Sequence, residues 1–253
     1  MTSADCLYRA AAERFDESDF ASALRLAREG LRRDEYHPGL LQVYGLSAHQ
    51  LGAPPVALEA LETASLVAPL DPLAQLTLAE LYVRSGRRRS AAAVLRFLVE
   101  PGRCPTPLLA DLARALGAFG AYRSAFQVCR RLARLRSWYH PAHYGMAYYL
   151  AKLKRPAARV VRHLRTAHAL APNAVMYRVA LAGALVTAGS PAEACDLVRP
   201  LFAGAVSCPG CLERLRGAAE AIGDVGLEAR FRARLRDVLS RRDGGAGGDC
   251  FEM

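Results

Sequence analysis

The chain has 253 residues, of which 52% are hydrophobic and only 8% aromatic, and it carries a formal net charge of +10. No Pro/Gly/Ser-rich linker divides it, and no stretch approaches about 18 uncharged apolar residues, which argues against a membrane-spanning helix. Ala and Leu dominate the apolar residues, which predicts an all-helical protein in which helices pack closely through small side chains.

The N-terminus and the cysteines bear on the compartment. Residues 1–6 contain neither a basic leader nor an apolar run, so the sequence predicts no signal peptide. The seven cysteines are an odd number and are scattered along the chain, unlike the pattern of a disulfide scaffold. We therefore expect a soluble cytoplasmic protein; the sequence leaves its oligomeric state open.

Two series of residues recur in phase along the chain and predict repeated helix-turn-helix segments. The first consists of small residues at intervals of 34 or 35: Ala23, Ala57, Ala91, Ala125, Val160 and Ala194. The second marks a turn five residues before each of these from Ala57 onward and continues for one further repeat, also at intervals of 34 or 35: Gly52, Gly86, Gly120, Arg155, Gly189 and Gly223. Apolar residues on both sides of each turn follow helical spacing, so each repeat predicts a helix A, a turn and a helix B.

The second repeat shows the pattern best. Leu41, Tyr44-Gly45 and Ala48 precede Gly52, and Ala57, Leu61, Ala64 and Pro69 follow it. This arrangement resembles the tetratricopeptide repeat. The resemblance implies a right-handed superhelical solenoid of about six repeats with a degenerate C-terminal repeat or capping helix. The expected single repeat domain spans 4–239, with repeats near 4–37, 38–71, 72–105, 106–140, 141–172, 173–207 and 208–239, and a disordered tail at 240–253.

Charge is distributed unevenly along this array. Between Leu112 and Ala192 there is no Asp or Glu, while thirteen Lys or Arg fall in that interval. Since the rest of the chain is nearly balanced, this region makes the whole net charge. Basic surfaces of this kind attract acidic proteins, nucleic acid or anionic membranes.

The motifs that suggest chemistry lack the context that the chemistry needs. Cys208 and Cys211 have the spacing of a metal or redox pair, but no other ligands accompany them to complete a zinc site and no βαβ pattern surrounds them. The histidine pairs His140/His143 and His163/His168 lie where no carboxylate is present. We therefore expect no catalytic residue, no metal and no cofactor, and interpret the protein as not an enzyme.

The helix A residues of the central repeats are the candidate binding site. In the resembled fold helix A lines the concave groove, which implies that Tyr144, Ala147, Tyr148 and Ala151 pack between helices, as does Trp138. The predicted groove residues are then Arg114, Met146, Tyr149, Lys152 and Met176, with Gly117, Gly145 and Gly183 leaving room for a ligand backbone.

The functional expectation is a scaffold or adaptor that binds another protein. We expect an acidic or extended segment in the concave groove, with cations setting association rate and selectivity and Tyr149 and Met146 supplying buried contact. The alternative is binding of nucleic acid or an anionic membrane by arginines on the B helices, which the resemblance places on the convex face: Arg130, Arg131, Arg134, Arg159, Arg162 and Arg165.

Overall fold

The computed structural model describes residues 3–201 and 206–242, and these form α-helices joined by short connections, with no β-strand among them. The chain divides into two compact units, Met1–Ala121 and Tyr122–Met253, called here the N-terminal and C-terminal units. The predicted tail falls largely outside the described residues; only its first three residues are within them, where they continue the last helix.

The N-terminal unit contains seven α-helices and one turn of 3₁₀ helix, all in its described residues. They are α1 Ser3–Asp16, α2 Phe20–Leu31, α3 Pro38–Gln50, α4 Pro54–Val67, α5 Pro72–Arg84, α6 Arg88–Val99, the 3₁₀ turn Thr106–Leu108 and α7 Leu109–Phe119. Proline opens α3, α4 and α5, where its missing N–H costs nothing. The recurring small residues Ala23, Ala57 and Ala91 are fully buried between the paired helices.

The C-terminal unit contains seven further α-helices within 122–201 and 206–242. They are α8 Tyr122–Leu135, α9 His140–Lys152, α10 Ala157–Leu170, α11 Val175–Thr187, α12 Pro191–Val198, α13 Pro209–Ala221 and α14 Val225–Arg242. One continuous core runs through this unit, from Ala147 and Leu150 on α9 to Phe231 and Val238 on α14. Helix α14 ends three residues beyond the predicted boundary at 239.

The turns explain why glycine recurs. Gly52, Gly86 and Gly120 have φ of +74°, +74° and +89°, a left-handed conformation that costs a residue with a Cβ about 1–2 kcal/mol. The prediction of Arg155 as the turn residue of the fifth repeat was wrong by one position. Lys154 adopts the left-handed conformation there, with φ of +51°, and lies 34 residues after Gly120.

Candidate interaction surfaces

Two of the predicted groove contacts are buried. Met146 is 3% exposed and Tyr149 is 6% exposed. The Tyr149 ring stacks on Tyr122, with centroids 6.3 Å apart, and meets Tyr148 edge-on at 5.3 Å. The prediction that Met146 and Tyr149 point into an open groove was therefore wrong. Both side chains are buried and contribute to the packing of α9.

Gly145 was also misinterpreted. A Cβ at this position would lie 2.8 Å from the Sγ atom of Cys129, closer than real Cβ contacts come. Cys129 is itself buried, and that burial raises the pKa of its thiol to about 12. The absence of a side chain at Gly145 therefore accommodates α8 against α9 and leaves no room there for a ligand.

Lys152 and Met176 remain accessible. Lys152 lies at the last turn of α9, half-buried, with its Nζ atom 5.5 Å from the centroid of the Tyr148 ring. Met176 lies at the first turn of α11 and is 56% exposed. Lys152 therefore lies near the C-terminal end of α9, about 18 Å along the helix from its first residue, and Met176 lies near the N-terminal end of α11.

Arg114 belongs to the N-terminal unit and is engaged in ion pairs. Its guanidinium lies 3.1 Å from Glu80 and 3.2 Å from Asp111, and Glu80 also lies 4.0 Å from Nε2 of His49. Burial lowers the pKa of His49, against the opposing attraction of Glu80. Because two carboxylates face one guanidinium, this cluster does not present the net positive charge that the groove prediction required.

A cationic surface lies on α8 and α10. The Phe126 ring on α8 meets the His163 ring on α10 edge-on, with centroids 6.2 Å apart. Exposed arginines lie on both helices around this contact. We call the following residues the arginine face: Arg123, Arg130, Arg134, Arg159 and Arg162.

The arginine face is electrostatically uncompensated within the described part of the chain. None of its five guanidinium groups has a carboxylate partner among those residues, whereas the neighbouring Arg165 pairs with Glu193 at 2.7 Å. Burial lowers the pKa of His163, and the charges of His143, Arg162 and Arg159 lower it further. The imidazole beneath the face therefore stays neutral near pH 7, and the surface charge is carried by arginine alone.

Trp138 is the functional candidate that the sequence interpretation missed. It was expected to pack between helices, but it is 66% exposed in the connection from α8 to α9. The available signal was its place next to Arg136 and Ser137, shortly before Pro141. An exposed tryptophan beside arginines is typical of residues that dominate binding energy at interfaces.

The Cys208–Cys211 motif lies at the start of α13. The Sγ atom of Cys208 accepts a hydrogen bond from the backbone N–H of Cys211 at 3.4 Å and so caps the start of α13. No group of three His, Cys, Asp or Glu within 3–201 and 206–242 is arranged to hold a metal ion. No helix in the same ranges is long and apolar enough to cross a membrane.

Solved structures decide the fold. A tetratricopeptide repeat protein from Parabacteroides merdae is 16% identical, with a TM-score of 0.64 over 94% of this chain and 93% of that one. The chain has the tetratricopeptide-repeat fold. Pseudomonas aeruginosa PilF matches at 18% identity and a TM-score of 0.62, over 82% of this chain and 94% of that one. These matches confirm the predicted all-α repeat class.

A third match carries a description of its binding. YrrB, described as a tetratricopeptide repeat protein with an unusual peptide-binding site, is 15% identical, with a TM-score of 0.57 over 68% of this chain and 88% of that one. No family model matches the sequence. No curated protein matches it either.

Proposed function

We propose that the protein is a non-catalytic scaffold that binds an acidic segment of another protein through the arginine face. The observation that carries this proposal is that no carboxylate among residues 3–201 and 206–242 pairs with the five exposed arginines on α8 and α10. A guanidinium group binds carboxylates in a two-pronged geometry, so a row of them selects an acidic chain. The peptide-binding description of YrrB supports a protein ligand for this fold.

Spacing on the helices favours an extended ligand. Arg123 and Arg130 are separated by two helical turns, about 10 Å, and Arg134 lies one turn further along α8. Arg159 and Arg162 form a second, shorter row on α10. An extended peptide in the polyproline II conformation advances about 3.1 Å per residue and returns a side chain to the same face every third residue, so acidic side chains at every third residue approximate the spacing from Arg123 to Arg130.

Two of the predicted groove residues are kept in this proposal as direct contacts with the partner. Lys152 and Met176 are accessible and remain proposed partner contacts in the C-terminal unit. Met146 and Tyr149 are proposed to shape the surface from beneath it. Arg114 remains a proposed contact only for a ligand able to displace Glu80 or Asp111. A cytoplasmic location, expected from the cysteine pattern, is part of this proposal.

Nucleic acid or an anionic membrane is the second candidate, because exposed arginines that lack a carboxylate partner in the described part of the chain, near an exposed tryptophan, also suit phosphate groups and stacked bases. Salt dependence distinguishes the candidates. Each phosphate neutralised on a single strand adds about 0.7 to the slope of log affinity against log salt. A peptide held by two-pronged pairs and apolar contact loses less affinity as salt rises.

The experiment compares two labelled probes by fluorescence anisotropy across a salt series. One is a peptide with glutamate at every third residue and leucine between, and the other is a single-stranded RNA of about 15 nucleotides, within the usual site size for such binding. The proposal predicts tighter binding of the peptide near physiological salt. Tighter binding of the RNA, with a steep salt slope, would overturn it in favour of the second candidate.

A further inference from the structure

A second surface of the C-terminal unit is apolar, exposed and unexplained by the arginine face. Four large apolar side chains lie where one helix pair connects to the next, and we call them the Trp138 edge: Leu135, Trp138, Leu170 and Met176. Trp138 and Met176 are more than half exposed, as is Leu135 at 54%. Exposed apolar side chains grouped in this way mark an interaction site.

Contacts between their neighbours bring Trp138 and Met176 together. His140 follows Trp138 by two residues, and Tyr177 directly follows Met176. The Nδ1 atom of His140 lies 2.7 Å from the hydroxyl oxygen of Tyr177. Burial raises the pKa of the Tyr177 phenol, and the nearby Tyr139 phenol raises it further. The segment that carries Trp138 is therefore held close to the start of α11, where Met176 lies.

The charged residues nearest to the Trp138 edge in the sequence are all positive. Arg134 and Arg136 flank Leu135, and Arg178 lies at the first turn of α11 with its guanidinium donating to the carbonyl oxygen of Pro172 at 3.1 Å. The chain has no Asp or Glu from Leu112 to Ala192. An occupant of this edge is therefore a segment that presents an apolar or aromatic side chain between carboxylates.

Residues 243–253 of the same chain have that chemistry. Their sequence places Phe251 between Asp249 and Glu252, adds Asp243 and Met253, and contains no Lys or Arg. Four of the eleven residues are glycine. We propose that this segment docks on the Trp138 edge of its own molecule, with Phe251 against Trp138 and its carboxylates against Arg134 and Arg136.

The topology places the start of the segment at the correct edge. In the tetratricopeptide-repeat fold successive helices run in opposite directions, so α8, α10 and α14 run the same way and their C-terminal ends share one side of the unit. Arg242 therefore lies on the side where Trp138 and Met176 lie.

The segment is long enough to reach from the end of α14 to Trp138. Packed helices lie about 8–10 Å apart, so the three helix pairs from α14 to α8 span roughly 30 Å. Nine residues lead from Arg242 to Phe251, and an extended chain covers about 30 Å in nine residues. The docked segment would cover Met176, so it would compete with a partner that uses this residue. The segment would also share Arg134 with the arginine face, so the experiment below reads the segment in the absence of any other ligand.

Trp138 is the only tryptophan of the chain, so its fluorescence reports on this edge directly. The experiment measures acrylamide quenching of the full chain, with a reductant present to keep Cys250 reduced. The test variant Asp249→Asn/Phe251→Ser/Glu252→Gln removes the proposed contacts, and Ala246→Ser is the control within the same segment. Neither variant changes a described residue of the fold.

Docking predicts that the fluorescence of the test variant is quenched more steeply by acrylamide. The slope of quenching against acrylamide concentration should be at least about twofold that of the wild type, because the segment no longer covers the indole. The control keeps the wild-type slope. Met176→Ser, which weakens the edge with the segment intact, is also quenched more steeply. Equal slopes for wild type and test variant would overturn the proposal. Shielding that disappears on about hundredfold dilution would assign the contact to a second copy and overturn docking within one molecule.

Discussion

Helices α4 and α10, one in each compact unit, share their buried positions and differ in surface charge. Leu61 lies four residues after Ala57, and Leu164 lies four residues after Val160; all four are buried. On the surface, Glu62 of α4 pairs with Arg87 at 2.6 Å, whereas Arg159 and Arg162 of α10 have no carboxylate partner in the described chain. The repeat pattern constrains the buried positions and leaves the exposed charges able to vary, so the two helices differ at the surface that we propose for binding.

The largest expected effect on stability tests whether the buried positions of α4 and α10 are equivalent. Leu61→Ala and Leu164→Ala each remove a fully buried side chain, which costs about 2–5 kcal/mol of the free energy of unfolding. Urea denaturation followed by circular dichroism measures the cost. Similar losses at both sites support equivalent packing; a loss at one site below about 1 kcal/mol would show that the repeat position is not equivalent there.

A glycine pair tests close approach between helices. A Cβ at Gly45 would lie 2.7 Å from Cγ of Leu61, whereas a Cβ at Gly217 would meet no atom within 4 Å. Gly45→Ala should therefore destabilise the protein by about 1–3 kcal/mol. Gly217→Ala, within α13, should stabilise it by about 0.5–1 kcal/mol, because alanine is the better helix former. Thermal unfolding of both variants separates the two, and destabilisation of equal size would refute the contact.

The turn at Lys154 tests the irregular repeat. Every other turn from the second repeat onward places glycine at the left-handed position, and Lys154 occupies it with φ of +51°. Lys154→Gly should raise the free energy of unfolding by about 1 kcal/mol, because it removes the Cβ strain. Gly86→Lys, the reverse change in a regular repeat, should lower it by a similar amount. Chemical denaturation of both variants shows whether the signs are opposite.

Acidification should lower the free energy of unfolding, and two histidines of the C-terminal unit should account for part of the loss. Burial lowers the pKa values of His143 and His163 below that of an unfolded histidine. The unfolded chain therefore binds protons that the folded chain does not, and stability falls as pH drops below about 6.5 towards the folded values. Unfolding free energies at pH 7.5 and 5.5 should differ less in His163→Gln than in the wild type. An unchanged difference would show that His163 takes no part.

The sequence predicted the repeat architecture because packing leaves a periodic record. Small residues such as Ala57 and Ala91 recur wherever two helices approach closely, and a left-handed turn selects glycine at Gly52 and Gly86. The exception was the fifth repeat. There Arg155 fitted the sequence series, but the backbone gave the left-handed position to Lys154, a one-residue difference that side-chain identity alone does not show.

The candidate site was harder to predict because exposure depends on neighbours that are distant in sequence. Tyr149 and Met146 occupy helix A positions that can face a groove, but the rings of Tyr122 and Tyr148 cover Tyr149. Conversely, Trp138 has the size of a core residue and lies outside the core. The charge pattern predicted the cationic region correctly, but pairing with Glu80 and Asp111 removed Arg114 from it.

One matched pair of charge reversals tests most directly whether the acid-free setting makes the binding surface. Arg123 and Arg130 lie two residues before and five residues after Ala125, as Arg89 and Arg96 do around Ala91, and all four are exposed. Arg123→Glu/Arg130→Glu should weaken binding of the glutamate–leucine peptide about tenfold or more, equivalent to about 1.4 kcal/mol, with little change in stability. Arg89→Glu/Arg96→Glu should leave binding within about twofold. Equal losses from both variants, or full binding by Arg123→Glu/Arg130→Glu, would contradict the account.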